Sequence, residues 1–206
     1  MDDAVDISKP LKKGTTRVEN KEFETGTYTG DWMDGAPNGK GKHTFSDGDV
    51  YEGDWVEGKE HGKGKYKWSD GRVYEGDHLE DMAHGKGKMT WPDGTYYEGD
   101  WLNGKPQGRA KMIHAADGWL YEGDFVEGNF GGKGRMTYAN GDFYEGDFVG
   151  GMICGEGRMT YSNGDVYEGS WALGWRHKGT MTYADGTVIE GNWHKIHPKI
   201  HQFHPT

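Results

Sequence analysis

Hydrophobic and polar positions alternate along this chain in short runs, and the runs recur. Tyr51-Glu52-Gly53-Asp54-Trp55 puts two aromatics and a glycine on one side of an extended strand and two carboxylates on the other. The same phrase, aromatic-Glu-Gly-Asp-aromatic, returns at Tyr74, Tyr97, Tyr121, Tyr144 and Tyr167. Two copies vary by one residue, with His78 in the last place of one and Ser170 replacing Asp in another. Looser copies open the array at Tyr28, with Thr29 for Glu, and close it at Ile189. Subtracting successive starts gives intervals of 23, 23, 23, 24, 23, 23 and 22 residues. A fixed period in this range marks one supersecondary unit stacked many times rather than a domain with a single core.

Within a unit the pattern predicts two strands. Tyr74 to Leu79 alternates, Glu80 to Ala83 turns, His84 to Trp91 alternates again, and Pro92-Asp93-Gly94 turns a second time. Asp-Gly or Asn-Gly, a strong hairpin signal, recurs at Asp47-Gly48, Asp70-Gly71, Asp117-Gly118, Asn140-Gly141, Asn163-Gly164 and Asp185-Gly186. Sorting side chains by face puts Tyr51, Gly53 and Trp55 together, with Gly62, Gly64, Tyr66 and Trp68 on the matching side of the following strand. Glu52 and Asp54 then lie near Lys63, Lys65 and Lys67 on the other face. Rings over glycines predict the dominant packing, because exposed charge pairs contribute only about 0.2–1 kcal/mol each.

The structural aromatic stripe is therefore Tyr28, Trp32, Tyr51, Trp55, Tyr74, Tyr97, Trp101, Tyr121, Phe125, Tyr144, Phe148, Tyr167, Trp171 and Trp193. On the carboxylate face, Val50, Val73, Tyr96, Leu120, Phe143 and Val166 precede the motif, and Val56, Leu79, Leu102, Val126 and Val149 follow it. The preceding row is the candidate partner-binding face. Packing of the two rows against each other across a twisted sheet is the plainer reading of the same pattern.

These units resemble MORN repeats, of the membrane occupation and recognition nexus family, in Tyr51-Glu52-Gly53-Asp54-Trp55, His61-Gly62-Lys63-Gly64 and the closing Asp70-Gly71. The resemblance implies an all-β fold: an elongated, twisted, single antiparallel sheet, a solenoid-like ribbon of consecutive hairpins. The expected divisions are a flexible N-terminal arm over 1–22, the repeat array over 23–193 with about seven full repeats and a truncated last one, and a His-rich tail over 194–206. An insertion near Ala115-Ala116 and a deletion near Trp175 to Lys178 leave the local register open.

Composition narrows the function. Hydrophobic residues make up 33% and glycine 37 of 206 residues, against about 45–50% and 7% in ordinary domains, so the core is a thin stripe. A formal net charge of -10 disfavours nucleic acid and gives no general attraction to anionic lipid. The single Cys154, inside a repeat, suits a reducing compartment and reads as an incidental or buried-turn residue rather than a reactive thiol. No apolar run approaches the length of a membrane span, and no signal peptide or Asn-x-Ser/Thr site is present.

Catalytic motifs fare poorly. The Gly-Lys-Gly-Lys phrases at 39–42, 62–65 and 85–88 lack the Lys-Ser or Lys-Thr of a phosphate loop. Asp47-x-Asp49 carries Glu52 and Gly58 where a calcium loop needs Gly and Glu. Carboxylates that recur in every unit do not make the unique constellation an active site requires. In the tail, His194, His197, His201 and His204 alternate with Ile196, Ile200 and Phe203, with no Cys or acidic ligand beside them. Packing on the last strand fits that tail better than a metal site. Lys9, Lys12, Lys13 and Arg17 make the N-terminal arm basic.

The expectation is a non-enzymatic scaffold with no cofactor, cytoplasmic and cytoskeletal, that binds other proteins. By its resemblance to stand-alone MORN arrays, similar to radial spoke head proteins, its setting would be a cilium or flagellum axoneme. Open strand edges predict a homodimer. The alternative is a peripheral membrane tether that binds acidic phospholipids through lysines such as Lys63, Lys65, Lys86, Lys88, Lys111 and Lys133.

Overall fold

The computed structural model describes residues 14–193. The tail over 194–206 and Lys9, Lys12 and Lys13 lie outside the described residues. Sixteen strands follow in chain order: β1 (Thr16–Phe23), β2 (Gly26–Met33), β3 (Ala36–Phe45), β4 (Val50–Val56), β5 (Lys59–Lys67), β6 (Val73–Leu79), β7 (Met82–Thr90) and β8 (Tyr96–Leu102). The second half comprises β9 (Lys105–His114), β10 (Trp119–Val126), β11 (Asn129–Thr137), β12 (Phe143–Val149), β13 (Met152–Thr160), β14 (Val166–Ala172), β15 (Trp175–Thr182) and β16 (Val188–Asn192). They form a single open antiparallel sheet whose spatial order is the sequence order. The chain divides into two compact units, Met1–Gly94 with Asp100–Lys105, and Thr95–Gly99 with Pro106–Thr206.

In the first unit each motif strand and the strand after it make a hairpin. Tyr51 pairs with Tyr66, Glu52 with Lys65 and Gly53 with Gly64, as the alternation predicts. The link between them, Glu57-Gly58, has positive φ at both residues (49° and 83°), which matches the right-handed twist of the strands it joins. The strand after the turn then bulges, because Asp54 pairs with His61 while Gly53 pairs with Gly64. Gly62 takes a φ of 57° inside that bulge. The sequence reading placed Gly62 on the aromatic face by simple alternation; the bulge breaks that alternation and sends it elsewhere.

The glycines serve the rings. A Cβ on Gly64 would lie 2.5 Å from Cε2 and Cζ of Tyr51, and one on Gly41 would meet Cε2 of Tyr28 at 2.5 Å. Each tyrosine thus lies flat over the glycine pair of its own hairpin, and Tyr28, Tyr51 and Tyr74 are at most 1% exposed. Their hydroxyls remain satisfied by donating to the main chain three residues on, at 2.8 Å from Tyr28 to Asp31 O and 3.0 Å from Tyr51 to Asp54 O. Trp55 packs edge-on between two tyrosines, 5.4 Å from Tyr28 and 5.0 Å from Tyr51. Its Nε1 donates to Gly41 O of the preceding hairpin at 3.1 Å. Burying such a ring contributes about 1.5–3 kcal/mol, and an edge-on pair adds about 0.5–1.5 kcal/mol.

The second unit repeats the scheme. Tyr121 covers Gly123 and Gly134, and Tyr144 covers Gly146 and Gly157. Phe125 and Phe148 replace tryptophan at the cross-hairpin position and pack edge-on to both tyrosines beside them. Trp171 restores the hydrogen bond to the preceding hairpin, at 3.2 Å from Gly157 O. The insertion near Ala115 is absorbed in the turn, since β9 and β10 pair without a break from Trp119–His114 to Phe125–Gly108. The deletion near Trp175 shortens the bulge of β15, and Gly169 still pairs with Gly179.

One boundary needs correction. Residues 16–22, expected in the flexible arm, form most of β1, which pairs with β2 through Val18–Gly30 and Phe23–Gly26. Arg17 grips Asp31 at 2.7 Å, Lys21 sits 4.2 Å above the Trp32 ring, and Phe23 lies 5.8 Å from it. The motif is absent from β1, so periodicity does not reveal it, yet these contacts cover the first edge of the array.

The ring-over-glycine packing sets an order of substitution costs. Ala110 already occupies, in β9, the place that Gly64 holds in β5, and pairs with Gly123, so one methyl is tolerable there. Gly64→Val is expected to lower unfolding stability by about 1–3 kcal/mol through overpacking against Tyr51, and Gly64→Ala by less. Urea unfolding of the two variants tests that order; equal stabilities would contradict it.

Candidate interaction surface

On the face opposite the rings, the motif carboxylates hold the sheet in register. Asp54 Oδ2 accepts the N–H of Lys63 in its own bulge at 2.9 Å, while Oδ1 lies 2.8 Å from Lys40 Nζ of the preceding hairpin. Asp77 does the same with the Lys86 N–H at 3.0 Å and Lys63 Nζ at 2.6 Å. In the second unit Asp147 takes the Glu156 N–H at 3.1 Å and Lys133 Nζ at 2.6 Å. The Lys133 hydrogen bond holds the Asp147 carboxyl below the usual range. Where Ser170 replaces Asp, its Oγ accepts the Lys178 N–H at 3.2 Å, which keeps the bulge bond and gives up the ion pair. The motif glutamates form a second ladder, with Lys65–Glu75 at 3.3 Å and Arg135–Glu145 at 3.1 Å.

Turns are stapled as well. Gly58 N donates to Pro37 O at 2.9 Å in the first unit, and Gly151 N donates to Phe130 O at 2.9 Å in the second. At the opposite row of turns Ser69 N donates to Asp49 Oδ1 and Ser162 N to Asp142 Oδ1, both at 2.8 Å.

The sequence-predicted residues separate cleanly by exposure. Every member of the aromatic stripe is buried except the half-buried Trp32. The candidate face of Val50, Val73, Tyr96, Leu120, Phe143 and Val166 is half-buried. Its members alternate across the strands with Thr44, Lys67, Thr137 and Thr160, and Arg135 lies 4.0 Å over the Phe143 ring. The row after the motif is more open: Val56 is 44%, Leu79 36% and Leu102 49% exposed in the first unit, and Val126 52% and Val149 64% in the second. Met82 and Met152 extend it across the hairpin, at 40% and 39%. The second unit also has an open depression of about 480 Å³ lined by Arg109, Lys111, Glu122, Arg135 and Glu145. Among the described residues no helix is long and apolar enough to cross a membrane.

A buried acidic–imidazole pair escaped the sequence reading. His78 stands where most units have an aromatic ring, edge-on to Tyr51 and Tyr74 at 4.9 and 5.0 Å. Its Nε2 is 3.8 Å from Glu60 Oε2, and both residues are sealed from solvent. Glu60 occupies the place of Pro37 or Ala83 in neighbouring hairpins, directly opposite the motif's last residue. Burial, with Asp81 adding repulsion, pushes the Glu60 carboxyl up to about 8, and burial pushes the His78 imidazole down. Both are therefore held neutral. The missing ring at His78 was visible in the sequence, but the pairing of strands was needed to bring Glu60 beside it.

Residues 28–50, 51–71, 74–96, 97–115, 121–143, 144–166 and 167–188 each match the profile of the MORN repeat. No curated protein matches the chain. Among solved structures it is similar to the TCP domain of SAS-4 (dCPAP) of Drosophila melanogaster, in complex with a proline rich motif of Ana2 (dSTIL). That likeness has 9% identity and a TM-score of 0.48, over 75% of this chain and 84% of that chain. The G-box domain of the microcephaly protein CPAP gives 13% identity and a TM-score of 0.48, over 85% and 90%. Likenesses of this size carry no conclusion about role.

The buried pair has a pH signature. A raised Glu60 contributes stability that is complete below the unfolded carboxyl range and lost as pH rises through about 8. A lowered His78 has the opposite sign, contributing above the ordinary imidazole range and losing that contribution as pH falls. Above about pH 6.5 only the Glu60 contribution still changes. Stability should therefore fall by about 1–2 kcal/mol between pH 6.5 and 8. Denaturant unfolding of Glu60→Gln over the same interval should be flat; an unchanged slope would contradict the assignment.

Proposed function

The chain belongs to the MORN repeat family, and from that premise we propose that it is a non-catalytic scaffold that binds other proteins in a cytoskeletal assembly, more narrowly a ciliary or flagellar axoneme of the radial spoke kind. MORN repeats are interaction modules. The observation that carries the binding role is the exposed apolar row that recurs once per hairpin, Val56, Leu79 and Leu102 in the first unit and Val126 and Val149 in the second. Aliphatic side chains left 36–64% exposed at one fixed position of successive repeats keep apolar surface in water, and covering it is what a partner would gain. The half-buried row of Val50, Val73, Tyr96, Leu120, Phe143 and Val166 flanks the charged band on its other side and would extend the contact. The cytoskeletal setting rests on resemblance to stand-alone arrays of the family.

Lipid tethering is the competing reading for a MORN protein, and the lysines argue against it. Lys63, Lys86 and Lys133 are committed to Asp77, Asp100 and Asp147 at 2.6, 2.5 and 2.6 Å. An anionic headgroup would compete at each of these exposed lysines with a carboxylate already in contact.

Native affinity purification should recover cytoskeletal proteins in stoichiometric amount, and the triple variant Val56→Asp, Leu79→Asp, Leu102→Asp should lose them while its circular dichroism still shows the folded sheet. Recovery of phosphoinositide without protein, or vesicle flotation at low salt, would reverse the assignment.

A further inference from the structure

Among the described residues the first and last strands are half-repeats of opposite kind. β1 is a return strand: Arg17 reaches Asp31 fourteen residues on, as Lys40 reaches Asp54 and Lys63 reaches Asp77. Val18 faces Gly30 as Gly41 faces Gly53, which puts Val18 in the glycine place. β16 is a motif strand: Gly191 pairs with Gly179 and Ile189 with Met181, as Gly53 pairs with Gly41 and Tyr51 with His43. Trp193 donates to Gly179 O at 2.9 Å, as Trp55 does to Gly41 O. Among the described residues β1 has no motif strand before it, and β16 has no return strand after it.

The two halves also depart from the repeat in matching ways. In the other hairpins a tyrosine covers glycines on both strands, as Tyr51 does Gly53 and Gly64, with Ala110 opposite Gly99 as the exception. At β16 the tyrosine is replaced by the smaller Ile189, which is 46% exposed, and a Cβ on Gly191 would have no atom within 4 Å. At β1 the glycine is replaced by the larger Val18. Side-chain volume lost on one half is regained on the other, a size-conserving exchange of the sort packed cores tolerate.

We propose that β16 of one copy pairs with β1 of a second copy, completing a repeat whose motif strand and return strand come from different molecules. Gly191 then lies opposite Val18 of the other copy, with Ile189 packed beside it. The contact is head-to-tail, so each added copy again presents a free β16 and a free β1, and assembly is open-ended. One pair opposes it. In a complete hairpin Glu52 faces Lys65, whereas the composite brings Glu190 near Glu19, which lies where β1 bulges between Val18 and Lys21. Like charges brought close across a seam weaken strand pairing, so association strengthens with salt.

The test uses the purified chain carrying Cys154→Ser, with Val18→Cys and Gly191→Cys made separately. Mild oxidation should link the two variants when mixed and neither when alone, and the doubly substituted chain should give a ladder of multimers. Linking by Gly191→Cys alone would show two β16 edges pairing about a two-fold axis and would overturn the proposal. So would no linking together with a monomeric mass by light scattering at every concentration, the result expected if the chain covers its own edge. With Cys154 intact and no cysteine added, the mass should rise with concentration and with salt, and Glu190→Lys should lower the concentration for half-association by about fivefold. Because no other protein is present, these outcomes are independent of whether a cytoskeletal partner is found.

Discussion

A tyrosine ring laid over two opposed glycines is the contact on which the rest of this sheet depends. A sheet that is not packed against a second layer must find its buried surface within itself. Here the ring supplies it, filling the space that two missing Cβ atoms leave and donating its hydroxyl to the chain three residues on. The next hairpin's aromatic then packs edge-on against that ring, and where it is tryptophan it also bonds to the glycine carbonyl beneath. Glycine is costly in a strand by itself, yet at Gly53 and Gly64 it is what admits the ring.

Charged residues do a different task. The motif aspartate binds a bulge N–H with one oxygen and a lysine of the preceding hairpin with the other, so removing it would loosen two hairpins at once. That the same carboxylate recurs in each repeat is explained by register, which is why it makes a poor catalytic candidate. The apolar residue just after the motif has no such duty. Its exposure in repeat after repeat sets it apart from the ring face, where almost nothing reaches solvent.

Much of this was legible in the sequence because each repeat independently restates the same pattern. The period, the two strands per unit, the ring-over-glycine face and the opposed charges at Glu52 and Lys65 all follow from alternation. What stayed hidden lies where alternation fails. β1 lacks the motif and is recognisable only from the partners of Arg17, Val18 and Phe23. The bulge at Gly62 shifts the phase of the return strand, and so decides that Asp54 meets the N–H of Lys63. Glu60 and His78 are eighteen residues apart, and neither is unusual until strand pairing sets them side by side in a place built for rings. Exposure of the row at Val56 over the row at Val50 depends on position along the strand, which pattern does not grade.

The lysine-to-aspartate link that crosses from one hairpin to the next spans the same fourteen residues at Lys40–Asp54, Lys63–Asp77 and Lys133–Asp147. A contact of fixed reach does not register how many units lie on either side of it. Duplicating or deleting one whole period in such a stretch leaves every such link with an equivalent partner, whereas gaining or losing a few residues within a period forces a turn or bulge to absorb them, as at Ala115 and Trp175. Repeat number in a molecule of this construction is thus a quantity that gene duplication can change in whole steps, with no redesign of the joints.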